Sequence, residues 1–421
     1  MKVLIVGSGG REHAIAWSIR KTNSENLQIY VAPGNAGTLP FATNVNIQIT
    51  QIKELTTFAK ENKIDLTIVG SETPLDLGIV DIFRMNNLKI FGPSKKASQI
   101  ESSKEFAKNI MNKANVPTAD SITFDSYEES IKFLSGKTPP FVIKANGLAA
   151  GKGVTIATSH EGAAEALDNC LNKQIFGESG KTVLIEEFLE GKELSIFSFT
   201  DGYYVSPLVA ACDYKRIYDN DLGPNTGGMG GYSPPHTFDS SLNQEINSTI
   251  ITPTIHQMAE NNTPFSGILY GGLILTNQGP KVIEYNCRFG DPEAEILLPL
   301  LDSNLFEICQ AGAENSLNHS EIRWSTNSSV GIVLTSKGYP NEYETEKIIS
   351  IGNIKDNCTI FHNGTNIDEE NNLISSGGRV LTIVSTNNTI ENARKDAYDA
   401  IKSVDFIDSH FRTDIAKSTD R

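Results

Sequence analysis

The chain opens with a short apolar run, Val3 to Val6, closed by glycines and followed by a stretch with helical spacing, Arg11 to Lys21. The same alternation recurs. Leu27 to Val31, Asp65 to Val69 and Leu88 to Phe91 are short β-rich runs, and Ile52 to Asn62 carries a helical pattern between two of them. Strands that alternate with helices predict a parallel, doubly wound sheet over roughly the first 100 residues. Ligands of such sheets bind beyond the carboxyl ends of the strands. The segments expected there are GSGGRE (7–12), APGNAG (32–37) and GSETPL (70–75). Tight turns account for most of their glycines. They do not account for Arg11, Glu12 and Glu72, three charged side chains at a common sheet edge.

After ESSKEFAKNIMNKANVPT the pattern changes. Ser102 or Ser103 can cap a helix that carries Lys104, and Pro117 closes the connection after it. PFVIKANGLAAGKGVTIA then reads as strand, Gly/Ala loop and strand, and VLIEEFLEGKELSIFSF as strand, short link and strand. The loop holds Gly147, Gly151 and Gly153 beside Lys152, with neither the spacing nor the Ser/Thr of a P-loop. A glycine loop between antiparallel strands predicts a flexible flap whose backbone N–H groups fold over a triphosphate. Lys144, at the inward end of the preceding apolar strand, is costly to bury unless it meets an anion. In the run Val282 to Arg288, period-two alternation puts Glu284, Asn286 and Arg288 on one face. A carboxylate and an amide oxygen in that arrangement suit Mg2+, and Arg288 can clamp a carboxylate or phosphate. DYKRIYDNDLGPNTGGMGGYSPP puts Asp213, Lys215 and Arg216 close together. Its glycines at 227, 228, 230 and 231 predict a functional loop that is neither helix nor regular strand.

Composition narrows the class. At ~150 residues per domain, 421 residues predict about three domains, and 39% hydrophobic with 21% charged residues is a globular balance. A net charge of −15 argues against a nucleic-acid partner and leaves room for an anionic small substrate in a locally basic pocket. No apolar run approaches the ~20 residues of a membrane span and the first segment reads as a strand, so no membrane partner and a cytoplasmic location are expected. The five cysteines, Cys170, Cys212, Cys287, Cys309 and Cys358, form no C-x-x-C pair and read as free thiols. The histidines lack zinc-site spacing. In GSGGRE the third position of a dinucleotide fingerprint is Glu12, whose carboxylate would repel a pyrophosphate, so the turn is expected to hold something smaller than NAD.

Read in order, GSGGREHA, APGNAG, TIVG-x-E-x-PL, FGPSKKASQIESSK, VIKANGLAAGKGV, IEEFLEGKE, DYKR, GPNTGGMGGYSP, VIEYNCRFGDPE and SGGRVL resemble the phosphoribosylamine-glycine ligases (glycinamide ribonucleotide synthetases), an ATP-grasp family, over essentially the whole chain. Three positions depart from the pattern: Asn146 where aspartate is usual, Ser71 where proline is expected, and Ala211-Cys212 where a more polar pair is common. The resemblance implies an α/β and α+β multidomain fold. A doubly wound preATP-grasp domain would span 1–101, an ATP-grasp region 102–325 with a small flap subdomain at about 120–190, and a C-terminal α+β domain 326–421.

The implied reaction is ATP-dependent condensation of 5-phosphoribosylamine with glycine through glycyl phosphate, giving glycinamide ribonucleotide, ADP and phosphate for purine biosynthesis. Lys104 and Lys144 would hold the nucleotide phosphates under the flap of Gly147, Gly151, Lys152 and Gly153. Glu186, Glu187, Phe188 and Leu189 would dock adenine, and Glu193 the ribose. Glu284 and Asn286 would position Mg2+ or Mn2+, while Arg288, with Lys144, Asp213 and Lys215, would serve the acyl transfer. Gly9, Gly10, Arg11, Glu12, Gly34, Asn35 and Glu72 would surround phosphoribosylamine, its 5'-phosphate on the N–H groups of the turn and its sugar hydroxyls on Glu12, with Asp213, Thr226, Gly227 and Gly228 completing the substrate side. The implied partners are small molecules alone, on a monomer or weak homodimer. Two rivals are a biotin-carboxylase-like or formate-using ATP-grasp ligase and a nucleotide-binding regulator without turnover.

Overall fold

The computed structural model describes residues 1–23, 27–149 and 152–417. Five parallel strands form the first sheet, in the order Thr43–Asn44, Gln28–Pro33, Lys2–Gly7, Leu66–Val69 and Ile90–Phe91. Its central strand is apolar on both faces, with Val3, Leu4, Ile5 and Val6 fully buried, as a parallel sheet covered on both sides requires. The expected strands and helices are present here with ends shifted by one or two residues, including the helices Gly10–Thr22 and Ile52–Glu61. All strand ends that carry GSGGRE, APGNAG and GSETPL point the same way.

The helix Lys104–Lys113 follows, capped by the Ser103 hydroxyl, which accepts the Phe106 N–H at 3.2 Å. A four-stranded antiparallel sheet comes next, in the order Ser121–Phe124, Val183–Glu187, Phe141–Ala145 and Val154–Ala157. The helices Tyr127–Leu134 and His160–Leu171 pack on it around a small core of their own. The Gly/Ala loop joins two of its strands, as the sequence predicts; Gly151 lies outside the described residues.

The remaining chain builds an antiparallel sheet of eight strands and, among the described residues, three two-stranded ones. The order of the large sheet is Gly279–Asn286, Ser266–Thr276, Lys192–Asp201, Val209–Asp213, Gly230–Ser233, Ser328–Thr335, Arg379–Asn387 and Cys358–His362. The two strands of VLIEEFLEGKELSIFSF therefore lie in different sheets, and residues 188–191 cross from the small sheet to the large one. The C-terminal α+β segment, with its helix Ile390–Ile401, continues the central sheet, because Gly230–Ser233 pairs on its far side with Ser328–Thr335.

One expectation fails. The stretch from 216 to 233 is not an irregular loop: Arg216–Tyr218 pairs with Leu222–Asn225, and Gly230–Ser233 is a strand inside the large sheet. The glycines there mark close backbone approach. A Cβ on Gly230 would lie 2.4 Å from the Gly331 carbonyl oxygen, and one on Gly231 would lie 2.3 Å from that of Cys212. All five cysteines are buried and none is in a disulfide, and no helix among the described residues is long and apolar enough to cross a membrane.

Candidate functional site

The first strand ends at Gly7 and the helix starts at Gly10, with Gly9 as its cap. Glu12 folds back over this turn, accepting the Gly9 N–H at 2.7 Å, the one half of a capping box that a glycine cap allows, and the Arg11 Nε–H at 3.1 Å. The side chain fills space that only glycines leave open. A Cβ on Gly7 or Gly70 would stand 2.3 or 2.2 Å from Glu12 atoms. The carboxylate expected at a sugar thus braces its own turn and takes the Gly9 N–H, while the N–H groups of Gly10, Arg11 and Glu12 precede the first intrahelical bond, from His13 to Gly9.

Arg11 continues the network. Its Nη1 donates to the Phe289 carbonyl at 2.8 Å, and its Nη2 stands 3.8 Å from Glu72. Glu72 accepts from Arg288 Nε at 3.2 Å, and Arg288 pairs with Glu101 at 2.7 Å. Glu101 in turn accepts the Cys287 N–H at 2.8 Å. Burial alone would raise the Glu72 carboxyl, but the charges of Arg288 and Arg11 outweigh it and bring it down to about 2. Burial opposes the Arg288 charge as well, and Glu101 with Glu72 holds it above its ordinary value. The large-sheet strand ends at Asn286, so the shared-face rule covers Glu284 and Asn286, and Arg288 is placed by these ion pairs instead.

Asn35 joins the turn to the far end of the chain, donating to the carbonyls of Ser8 at 2.8 Å and His362 at 2.7 Å. Gly34, with φ of 74°, donates its N–H to Gly7. Between these segments lies a cavity of about 680 Å³. Ser8, Gly9, Gly34 and Asn35 line one side, and Asp291, Asn363, Thr365, Ser376 and Arg379 the other. Arg379 pairs with Asp291 at 3.1 Å and donates to the Gly227 carbonyl at 2.6 Å, which fixes the glycine loop against the cavity. Thr226 shapes that loop, its hydroxyl donating to the Lys215 carbonyl at 2.7 Å and accepting the Gly228 N–H at 3.0 Å. Asn363 donates to Asp291 at 3.1 Å and to the fully buried Glu295 at 2.9 Å. Burial, reinforced by Asp291, pushes the Glu295 carboxyl well up. The sequence reading assigned no role to this far wall, although the FGDPE run carries Asp291 and the SGGRVL run carries Ser376 and Arg379.

On the side of the small sheet, Lys144 does meet an anion, and the protein supplies it. Its Nζ lies 2.7 Å from Glu186 and donates to the Ile283 carbonyl at 3.0 Å. The Glu186 side chain, expected beside adenine, is buried in this pair, while Glu187 at the strand end and Phe188 in the following link are exposed, with Leu189 half-buried. Lys104 donates to the Gly147 carbonyl at 3.3 Å. Its ammonium is lowered by burial, against the opposing charge of Glu284. Asn146 accepts the Glu105 N–H at 2.9 Å, so the amide that replaces the usual aspartate still serves the helix start. Lys152 is exposed, and Gly153 packs a backbone without side chain against Ala149 and Ala145. Lys215 bridges Asp213 at 2.8 Å and Glu193 at 3.0 Å. Next to Asp213, the buried Glu293 accepts from Tyr270 at 2.9 Å, and burial with Asp213 raises its carboxyl.

Glu284 and Asn286 occupy alternate positions of their strand, opposite Gly272 and Tyr270, and their side chains make no hydrogen bond to another described residue. One carboxylate and one amide oxygen, unspent and near Lys104, fit a hard divalent cation that draws its other ligands from phosphate and water.

Models of three phosphoribosylglycinamide synthetase domains match the chain: the N domain at residues 1–101, the ATP-grasp (A) domain at 102–294 and the C domain at 329–418. The phosphoribosylamine--glycine ligase of Caldanaerobacter subterraneus subsp. tengcongensis is 46% identical over 418 residues, covering 99% of both chains. That of Escherichia coli K12 is 42% identical over 420 residues, covering 99% of this chain and 98% of its own. The crystal structure of the Thermotoga maritima phosphoribosylamine--glycine ligase matches with a TM-score of 0.85 and 32% identity, over 99% of this chain and 100% of that one. A Campylobacter jejuni biotin carboxylase shares the fold at a TM-score of 0.74 and 15% identity, over 97% and 92% of the two chains.

Proposed function

The chain belongs to the phosphoribosylglycinamide synthetase family, and from that premise we propose that it joins glycine to 5-phosphoribosylamine at the expense of ATP, giving glycinamide ribonucleotide, ADP and phosphate. The observation that carries this reading is Arg288. It stands in an ion-pair chain running from Glu101, on the Lys104 side, through Glu72 and Arg11 to the turn that lines the cavity. A nucleotide on one side and an amine substrate on the other would meet at that guanidinium.

Glycine's carboxylate is a poor electrophile and must first be phosphorylated, which calls for positive charge around the transferring group. Lys144 and Lys104 would hold the nucleotide phosphates, and the flap formed by Gly147, Lys152 and Gly153, with Gly151, would exclude water from the acyl phosphate. Glu187 to Leu189 would dock adenine through backbone groups, and Glu193 the ribose. Glu284 and Asn286 would hold Mg2+ or Mn2+, which when bound neutralises phosphate charge. Arg288 would align the glycine carboxylate, with Asp213 and Lys215 completing that wall beside Thr226, Gly227 and Gly228.

Phosphoribosylamine would fill the cavity, its 5'-phosphate against the Gly10 and Arg11 N–H groups and its amine toward Arg288. Arg379, which lines the same cavity, supports an anionic occupant there. The working division is 1–101 for the amine substrate, 102–325 with the flap at about 120–190 for ATP, and 326–421 closing the cavity. Five buried cysteines outside any disulfide support a cytoplasmic enzyme. Mass spectrometry of the products from ATP, glycine and fresh phosphoribosylamine tests the reading. ADP release that needs glycine, and that acetate, formate or bicarbonate cannot replace, is expected. Absence of glycinamide ribonucleotide would overturn it.

A further inference from the structure

Lys108 lies one helical turn after Lys104, and no motif marks it. Its side chain is 8% exposed, and its Nζ has three acceptors: Glu186 Oε1 at 3.1 Å, Thr118 Oγ1 at 2.9 Å and the Ala119 carbonyl at 2.7 Å. An ammonium group has three hydrogens to donate. Lys108 therefore has none left for a ligand. Lys144 holds the other oxygen of the same carboxylate, at 2.7 Å, together with the Ile283 carbonyl, and among the described residues it has no third partner. One buried carboxylate is thus divided between a saturated lysine and an unsaturated one.

We propose that Lys108 is a positioning residue for Lys144: by holding half of the Glu186 carboxylate, it keeps Lys144 anchored while leaving its third N–H for a nucleotide phosphate. The proposal rests on the assignment of Lys144 to the phosphates. Without Lys108, Lys144 is the one cation left in ion-pair contact with Glu186 among the described residues, and a buried carboxylate short of a partner competes strongly for the donors it can reach. The cluster's net charge also falls from one positive to zero where a polyanion must bind. Both effects act on ATP. Neither touches glycine or phosphoribosylamine.

The test compares Lys108→Met, Lys108→Arg, Glu186→Gln, the Lys108→Met/Glu186→Gln double variant and Lys144→Met. The readouts are KM for each substrate varied in turn and calorimetric Kd for ATP with Mg2+. Lys108→Met is expected to raise KM and Kd for ATP on the order of tenfold, with the other two KM values within about twofold. Lys108→Arg, which keeps the charge in another shape, is expected to lie between it and the unsubstituted protein, and it carries the same test if Lys108→Met does not fold. Because Lys108 acts through Glu186, the double variant should be no worse than Glu186→Gln alone. Unchanged ATP affinity in the Lys108 variants, a parallel rise in all three KM values, or fully multiplicative effects in the double variant would overturn the proposal. Undiminished ATP affinity in Lys144→Met would overturn the phosphate assignment itself.

Discussion

Gly9→Asp separates the two halves of the site. Gly9 lines the cavity and adopts φ of −88°, which any L-residue can take, so the substitution acts through its side chain and not through backbone strain. A Cβ there would lie 3.1 Å from a Glu12 oxygen and 3.3 Å from Asp291 Oδ2. The new carboxylate must turn away from both and into the cavity. Facing a phosphate about 5 Å away at an effective dielectric of about 20, one negative charge contributes roughly 3 kcal/mol of repulsion for each charge it meets. That corresponds to more than a hundredfold in the affinity for phosphoribosylamine. The lysines assigned to ATP lie on the other side of Arg288, so the Kd for ATP should stay within about threefold at ordinary ionic strength. Phosphoribosylamine-dependent ADP release and ATP calorimetry on the same preparation provide the two readouts. If ATP affinity fell as steeply as phosphoribosylamine use, or if phosphoribosylamine KM did not move, the 5'-phosphate would not lie on this turn.

Glu284→Gln removes the charged member of the unspent oxygen pair and should cost several kcal/mol of transition-state stabilisation, hence about a hundredfold or more in rate, with a raised Mg2+ requirement; normal turnover at low Mg2+ would contradict it. His13 accepts the His362 N–H on its Nδ1, at 2.9 Å, so the native ring is neutral, and burial with the neighbouring His362 lowers it to about 3. An unfolded ring takes up a proton near pH 6.5 that the native one refuses, so this contribution to stability is complete above about 6.5 and drains by about 1.4 kcal/mol per pH unit from there toward 3. Urea unfolding at about pH 7.5 and about pH 5 should show a smaller acid loss in His13→Asn than in the unsubstituted protein. Gly70→Ala places a Cβ 2.2 Å from Glu12 Oε1 and should destabilise by about 1–3 kcal/mol, seen as a lower melting temperature.

The N-terminal sheet was legible because its strands are continuous apolar runs and its helices keep their spacing, both local patterns. Lys144 was legible as a lysine that needed an anion, since an apolar strand left it no other resting place. The identity of that anion was not. Glu186 pairs with it across adjacent strands, 42 positions later in the chain, and no local period links the two. The same holds for Arg379 against Asp291 and Gly227, and for Asn363 against Glu295, which meet only once the large sheet is assembled. Glycine misled the reading at 230 and 231 because its two uses, freedom to turn and permission for backbones to touch, look alike in a sequence.

The eight-stranded sheet also sets a timetable. Gly9 and Arg379 face one cavity yet stand about 370 positions apart, so at ~5–20 residues per second a ribosome delivers the second wall roughly 20 to 75 seconds after the first. Within that interval the strand Gly230–Ser233, once made, has a partner on one side only until Ser328–Thr335 follows about 95 positions later, roughly 5 to 19 seconds at the same rate. An open edge is an invitation to the wrong neighbour. The short length of this strand and its paired glycines, which offer little side-chain surface to a stranger, make the wait safer than a long apolar edge would.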